Sequence, residues 1–304
     1  MEAYIIDGIR TPIGSYQGAL SEVRADDLGA LVIKAVAERN PEIPLSAYDD
    51  VILGCANQAG DDNRNVARMS LLLAGLPETV PGETVNRLCS SGLSAIIHAN
   101  RAIKAGDGDV FIAGGVENMT RGPLVISKSS KGYGTDSKMY DSSFGWRFVN
   151  PKMKEMHGVD AMGETAENLV EKYNISREDQ DKFALNSQLK AKKAQESGRL
   201  AEEIVNVEIP QRKGDAKVVA QDEFLKPTST IEGLGKLRAA FKKEGSVTAG
   251  NSSGLNDGAA AVIVASADAV KKYNLKPLAR IVSSAVVGVS PRIMGIGPVE
   301  ASNK

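Results

Sequence analysis

The sequence predicts a layered α/β fold with a long insertion, and three observations carry that expectation. Short apolar runs alternate with amphipathic stretches over the first part of the chain; the alternation breaks at about Arg121; it resumes at Ser246 with a Gly-rich turn and a further apolar run. Helices packed over a mostly parallel sheet require such an alternation.

Ala3 to Ile6 reads as a strand. Ala25 to Arg39 reads as a helix, because Leu28, Leu31, Val32, Ala35 and Val36 recur at helical spacing. Asp50 to Leu53 is a strand and Asn65 to Ala74 a helix that Gly75 closes. Leu93 to Lys104 follows as a helix with Leu93, Ile96, Ile97 and Ile103 on one face and Gly106 beyond its end. Asp109 to Ala113 is a short apolar strand before Gly114-Gly115.

From Arg121 to His157 there are seven Lys or Arg against three Asp or Glu, with much Ser and Gly and little periodicity, which reads as an excursion. Two helices follow. Ala166, Leu169, Val170 and Tyr173 form one stripe, and Ser176 with Asp179 starts a second helix that runs to about Ser197. The turn Gly250-Asn251-Ser252-Ser253-Gly254 then leads to Ala259 to Val264, apolar enough for a strand buried on both faces. Residues 1–120 with 245–270 are therefore expected as one α/β domain, 121–244 as an inserted loop domain, and 271–304, opening with Ala279 to Ser284, as the start of a further unit.

Composition narrows the function. With 42% hydrophobic residues the 304-residue chain can bury a substantial core. Lys and Arg (37) nearly balance Asp and Glu (38), so no global field favours nucleic acid or an anionic membrane. The longest apolar stretch, Ala259 to Ala267, is far short of the ~20 residues that span a bilayer. Asp7 and Arg10 interrupt any signal-peptide core, and two cysteines without C-x-x-C spacing fit a reducing compartment, so a cytoplasmic protein is expected.

Cys89 lies immediately before an apolar-striped helix, where free N–H groups and the positive end of the helix dipole favour an anion. Its Ser and Gly neighbours leave room for a substrate carbonyl. A buried cysteine is more often inert packing, which is the reading for Cys55 at the end of a strand.

The segment Asn86-Arg87-Leu88-Cys89-Ser90-Ser91-Gly92 resembles the acyl-enzyme motif of thiolases. So do Gly114-Gly115-Val116-Glu117-Asn118-Met119 and Gly250-Asn251-Ser252-Ser253-Gly254-Leu255-Asn256-Asp257-Gly258-Ala259. Arg10-Thr11-Pro12-Ile13-Gly14 and Met294-Gly295-Ile296-Gly297-Pro298 also match, in family order. The resemblance implies the thiolase fold, αβαβα layers built from two similar βαβ-type halves, of which this chain holds the first. It implies acyl transfer between coenzyme A thioesters through an acyl-Cys89 intermediate, with the Cys89 N–H in the oxyanion hole. Coenzyme A is then a substrate, no permanent cofactor or metal is expected, and members are homo-oligomers, dimers or tetramers, for which the apolar strand Asp109 to Ala113 is the expected dimer edge.

Carried over residue by residue, Ser253 matches the serine that contacts the pantetheine arm, and Lys226 a basic residue near the nucleotide. Met162 and Met294 match methionines that line the acyl pocket. Plain alternatives stand beside each: a turn serine, a solvated lysine, and core-filling methionines. A histidine precedes the aligned methionine in the acetoacetyl-CoA-making branch, whereas here Ala161 does. His157 and His98 therefore receive no role.

Gly54 to Arg68 and Asp141 to Pro151 resemble instead the 3-oxoadipyl-CoA branch, which cleaves a dicarboxylic 3-oxoacyl-CoA. Arg147 is the candidate partner for the distal carboxylate. A general 3-ketoacyl-CoA thiolase or acetyl-CoA acetyltransferase is the alternative enzyme. The family's Asn-Glu-Ala-Phe, Gly-His-Pro and Cys-x-Gly segments are not found before Lys304. A non-catalytic acyl-CoA-binding fragment, or a site completed by a separate C-terminal chain, therefore also stays open.

Overall fold

In the computed structural model, which describes residues 1–304, the elements expected in the first stretch appear in order with longer strands, and two short strands not expected from the sequence, at Gly14–Ser15 and Gly82–Val85, join them. β1 is Ala3–Arg10, β2 Gly14–Ser15, α1 Ala25–Glu38, β3 Asp50–Gly54, α2 Val66–Leu73, β4 Gly82–Val85, α3 Ser91–Ala105 and β5 Val110–Asn118. Asp26 and Asp27 sit in the first turn of α1, where the helix dipole favours negative charge, while Leu28, Val32, Ile33 and Val36 are fully buried. Asn65 caps α2 by accepting the Arg68 N–H at 3.3 Å. Gly106 ends α3 at φ +85°, a conformation that side-chain-bearing residues rarely adopt.

The excursion after Arg121 contains more structure than its sequence suggests. β6 (Leu124–Ile126) and β7 (Met139–Asp141) form an antiparallel pair, followed by α4 (Pro151–His157), α5 (Met162–Tyr173) and α6 (Arg177–Glu196). The Ser176 hydroxyl accepts the Asp179 N–H at 3.1 Å, so the cap expected for α6 forms. β8 (Val207–Ile209) pairs with β9 (Lys217–Val219), and α7 is Ile231–Gly235. β10 (Asn256–Ser266), α8 (Ala267–Lys272) and β11 (Ala279–Arg280) follow, and a 3-10 segment at Pro291–Ile296 leads into α9, Gly297–Asn303. No helix is long and apolar enough to cross a membrane.

The main sheet has the order β11-β1-β10-β5-β3-β4, with β2 added beside β10. It is mixed, which corrects the mostly parallel sheet expected. β3 is parallel to both β4 and β5, because helices connect those strands and a crossover returns the chain in the same direction. β10 arrives after the long excursion without that constraint and is antiparallel to both β5 and β1. The Asp109 to Ala113 segment is also not an edge: β5 lies between β10 and β3, and the outer strands are β4 and β11. Only Ala279–Arg280 of the expected Ala279 to Ser284 strand joins a ladder, and it extends this sheet beside β1.

Successive residues of the central strands go to opposite faces. Val51, Leu53, Val110, Ile112 and Ile263 join a core with α1 and α2, whereas Ile52, Phe111, Ala113 and Val264 join a core with α3. Both faces are covered by helices, and the near-continuous apolar runs of β5 and β10 follow from that.

The chain divides into two compact units, residues 1–123 with 199–224 and 255–284, and residues 124–198 with 225–254 and 285–304. Residues 199–224, read from sequence as part of the insertion, join the first because Val207, Ile209 and Val219 enter its core. In the second unit the buried Glu167 carboxylate accepts the Ser246 and Val247 N–H groups, each at 2.8 Å, which draws 245–254 onto α5.

Candidate active site

The chain leaves β4 at Val85 and reaches α3 through one tight turn that carries Cys89. Asn86 organises the turn with both ends of its amide: Oδ1 accepts the Leu88 N–H at 2.9 Å, and Nδ2 donates to the Ala56 carbonyl at 3.0 Å. Leu88 takes φ +50°, unusual for a bulky residue, and its side chain is exposed. The Ser91 hydroxyl accepts the Arg87 N–H at 2.8 Å and donates to the Leu88 carbonyl at 2.6 Å, closing the turn from the helix side. Arg87 Nε donates to the Ser94 hydroxyl at 2.9 Å. Cys89 stands exposed on this turn, one residue before Ser90, the N-cap of α3. Ser90 makes no side-chain cap, so its hydroxyl does not occupy the first-turn N–H groups.

Glycines bring α3 down onto the sheet. A Cβ at Gly54 would run into the Ser91 carbonyl carbon and the Gly92 nitrogen, while one at Gly115 would crowd the Gly54 carbonyl oxygen at 2.9 Å and touch the Gly92 Cα at an ordinary 3.5 Å. The first turn of α3, and Cys89 with it, therefore rests directly on the end of β3 and the middle of β5.

Beneath the turn, the Glu117 carboxylate on β5 accepts the Ala56 N–H at 2.8 Å and the Asn57 N–H at 3.1 Å. The buried Asp62 accepts from Gln58 N at 3.1 Å and Gly60 N at 2.8 Å, and the Cys55 thiol lies 3.5 Å from it. Burial, then the charges of Glu117 and Asp62, push the Cys55 thiol far above its ordinary range, so it stays neutral and fills space. Burial also raises the Glu117 carboxyl, against the pull of its two N–H donors. The ligand-type atoms of Cys55, Asp62 and Glu117 lie within 4.8 Å of one another, and each is already hydrogen-bonded within the chain.

The other expected site residues belong to the second unit. Met162 is the first residue of α5 and Met294 lies in the 3-10 segment; both are exposed. Their elements are packed together: Asn168 Nδ2 on α5 donates to the Arg292 carbonyl at 2.8 Å, and Arg292 is ion-paired to Asp160 at 2.9 Å. The Trp146 indole donates to the Asp160 carbonyl at 3.2 Å, whereas Arg147 donates to the Ser142 carbonyl at 2.9 Å. Ser253 is exposed on the turn that Asn251 fixes by accepting the Thr248 N–H at 2.7 Å and donating to Asp181 at 3.0 Å. Lys226 is exposed on a separate loop of that unit, its N–H bonded to Gln188 at 2.8 Å.

The sequence matches the family described as "Thiolase, N-terminal domain" over residues 3–268. The chain belongs to the thiolase family. A β-ketoadipyl-CoA thiolase of Acinetobacter baylyi is 58% identical over 302 residues, 99% of this chain and 75% of that protein. The 3-oxoadipyl-CoA/3-oxo-5,6-dehydrosuberyl-CoA thiolase of Escherichia coli is 57% identical over 303 residues, 100% and 76% of the two chains. Among solved structures, the Bacillus anthracis acetyl-CoA acetyltransferase superposes with a TM-score of 0.91 at 41% identity, covering 99% of this chain and 75% of that one. This thiolase therefore carries the layered α/β fold that its motifs implied. Sequence reasoning singled out Cys89 but missed the supports Asn86, Gly54 and Glu117. The visible signals for them were a glycine closing an apolar strand and an asparagine two residues ahead of a turn.

Proposed function

We propose that this thiolase cleaves 3-oxoadipyl-CoA with coenzyme A to succinyl-CoA and acetyl-CoA, using Cys89 as nucleophile. The observation that carries the reading is the exposed Cys89 thiol on a built turn at the start of α3. Sγ attacks the C3 carbonyl, and the oxyanion is held by backbone N–H groups that include that of Cys89. The C2–C3 bond breaks, the acetyl-CoA enolate takes up one proton, balancing the one the Cys89 thiol lost on attack, and leaves, and a succinyl-Cys89 thioester remains. The thiolate of a second coenzyme A attacks that thioester, the C–S bond to Cys89 breaks, and the proton lost by the coenzyme A thiol balances the one that restores the Cys89 thiol. Cysteine suits the step because its acyl product is itself an activated ester. Coenzyme A enters as a substrate and not as a resident cofactor.

In the same reading the inserted loop domain binds the acyl-CoA. Ser253 meets the pantetheine arm, Lys226 the nucleotide, Met162 and Met294 the acyl chain, and Arg147 the distal carboxylate. The packing of α5 on the 3-10 segment supports grouping Met162 and Met294. The names borne by the relatives from Acinetobacter baylyi and Escherichia coli support the dicarboxylic substrate. The chain self-associates as a dimer or tetramer; β4, with a partner on one side only, offers unpaired backbone for it. Two free cysteines suit a reducing, cytoplasmic setting.

The test is mass spectrometry of the chain after incubation with 3-oxoadipyl-CoA. A succinyl adduct on the Cys89 peptide, absent in Cys89→Ala, is expected; an adduct elsewhere, or none in folded protein, overturns the reading. Arg147→Ala should lower the dicarboxylic rate relative to a neutral 3-oxoacyl-CoA by about tenfold or more, the loss of one charge-assisted pair. Equal effects on both substrates would remove Arg147 from the specificity site.

A further inference from the structure

We infer that Glu117 is a positioning residue for the Cys89 turn, acting through Asn86. The inference rests on the reading of Cys89 as nucleophile. Glu117 is anchored in β5, between β10 and β3, and is half-buried. Its two carboxylate oxygens take one N–H each, from Ala56 at 2.8 Å and Asn57 at 3.1 Å. This pair of bonds fixes the peptide whose carbonyl, on Ala56, receives Asn86 Nδ2 at 3.0 Å. The other end of the same amide holds the Leu88 N–H at 2.9 Å and so maintains Leu88 at φ +50°. A bulky residue persists in that conformation only where its surroundings over-determine it. The path from the sheet to the nucleophile is thus Glu117, the Ala56–Asn57 backbone, Asn86, Leu88 and Cys89, every link a hydrogen bond or a peptide bond.

Only an ionised carboxylate serves both donors. The amide of Glu117→Gln keeps the shape but turns an NH2 group toward one of the two N–H donors, leaving that donor unpaired. Ser at position 86 keeps a hydroxyl that can accept the Leu88 N–H, as serine does in turns, but does not reach Ala56. Asn86→Ser therefore cuts the link while keeping the local cap.

The experiment measures the rate of Cys89 alkylation by iodoacetamide against pH, read by peptide mass spectrometry, in wild type, Glu117→Gln, Asn86→Ser and the double variant. Circular dichroism establishes that each is folded. Each single variant should change the Cys89 alkylation profile, with the rate at neutral pH slower by about two- to fivefold, the size of a helix-terminus effect on an anion. The double variant should be no slower than the slower single, because both cut one path. Unchanged Cys89 profiles in folded single variants, or effects that multiply in the double variant, overturn the inference. If Glu117→Gln does not fold, Asn86→Ser alone decides, an unchanged profile overturning it. Acylation by acyl-CoA is scored separately, so a wild type that alkylates but never acylates would sink the nucleophile reading and leave the coupling result standing.

Discussion

Cys55 and Cys89 carry the same thiol into opposite surroundings. Cys55 is buried at the end of β3 against two carboxylates, and Cys89 is exposed ahead of α3. Iodoacetamide should label Cys89 and spare Cys55 in native protein, and label both in urea, as peptide mass spectrometry would show. A second residue-scale prediction concerns Arg10, which is ion-paired with Asp222 at 2.7 Å and Glu203 at 2.8 Å. Burial raises the Asp222 carboxyl, but the Arg10 hydrogen bond, the Ile13 N–H and the Arg10 charge together outweigh it and hold the group below its ordinary value. A carboxyl depressed in the folded state stabilises above the unfolded value and loses that contribution as pH falls through the folded one. Asp222→Asn should cost about 1–3 kcal/mol in urea unfolding at pH 7, and the difference from wild type should shrink below about pH 4.

At the scale of elements, what places Cys89 is the seating of α3 on the sheet. A methyl group at Gly54 collides with backbone atoms of Ser91 and Gly92, neither of which can swing aside as a side chain would. Gly54→Ala should therefore displace the first turn of α3 and lower Cys89 acylation by at least about tenfold, a loss of the kind that a small misplacement of reacting atoms produces. Gly106→Ala, at the far end of the same helix and at φ +85°, should cost about 1 kcal/mol or more of stability while leaving acylation of folded protein near wild type. Similar acylation losses in the two variants would show that general destabilisation, not the seating of the first turn, is responsible.

For the molecule as a whole, the division into two units predicts that stability is local to each. Val207 on β8 is buried in the core of the first unit, although it is far in sequence from the main strands. Val207→Asp should raise hydrogen exchange in β10 by opening that core, with exchange in α6, which belongs to the second unit, changed much less. Uniform acceleration across β10 and α6 would mean the two units open as one. Unfolding curves should be checked for separate transitions before one free energy is assigned to the chain.

Local pattern was enough to find helices α1, α2, α3, α5 and α6 and strands β1, β3, β5 and β10, but not the short strands or the shorter helices. The apolar spacing of Ala25 to Arg39, the capping pair of Ser176 and Asp179, and the glycines after α2 and α3 placed those helices to within a few residues, because caps and periodicity act over one or two turns. The motif around Cys89 likewise carried the family, since its chemistry is concentrated in contiguous residues. Strand direction, the interior place of β5 and the attachment of 199–224 to the first core were decided only by tertiary structure. An apolar run such as Val110 to Ala113 suits any central strand, parallel or antiparallel, and its partners lie far away in sequence on both sides, in β10 and in β3. The support of Cys89 was hidden for the same reason. Gly54, Asn86 and Glu117 are ordinary residues in three separate segments, and they become one structure only when packing brings β3, the β4–α3 turn and β5 together.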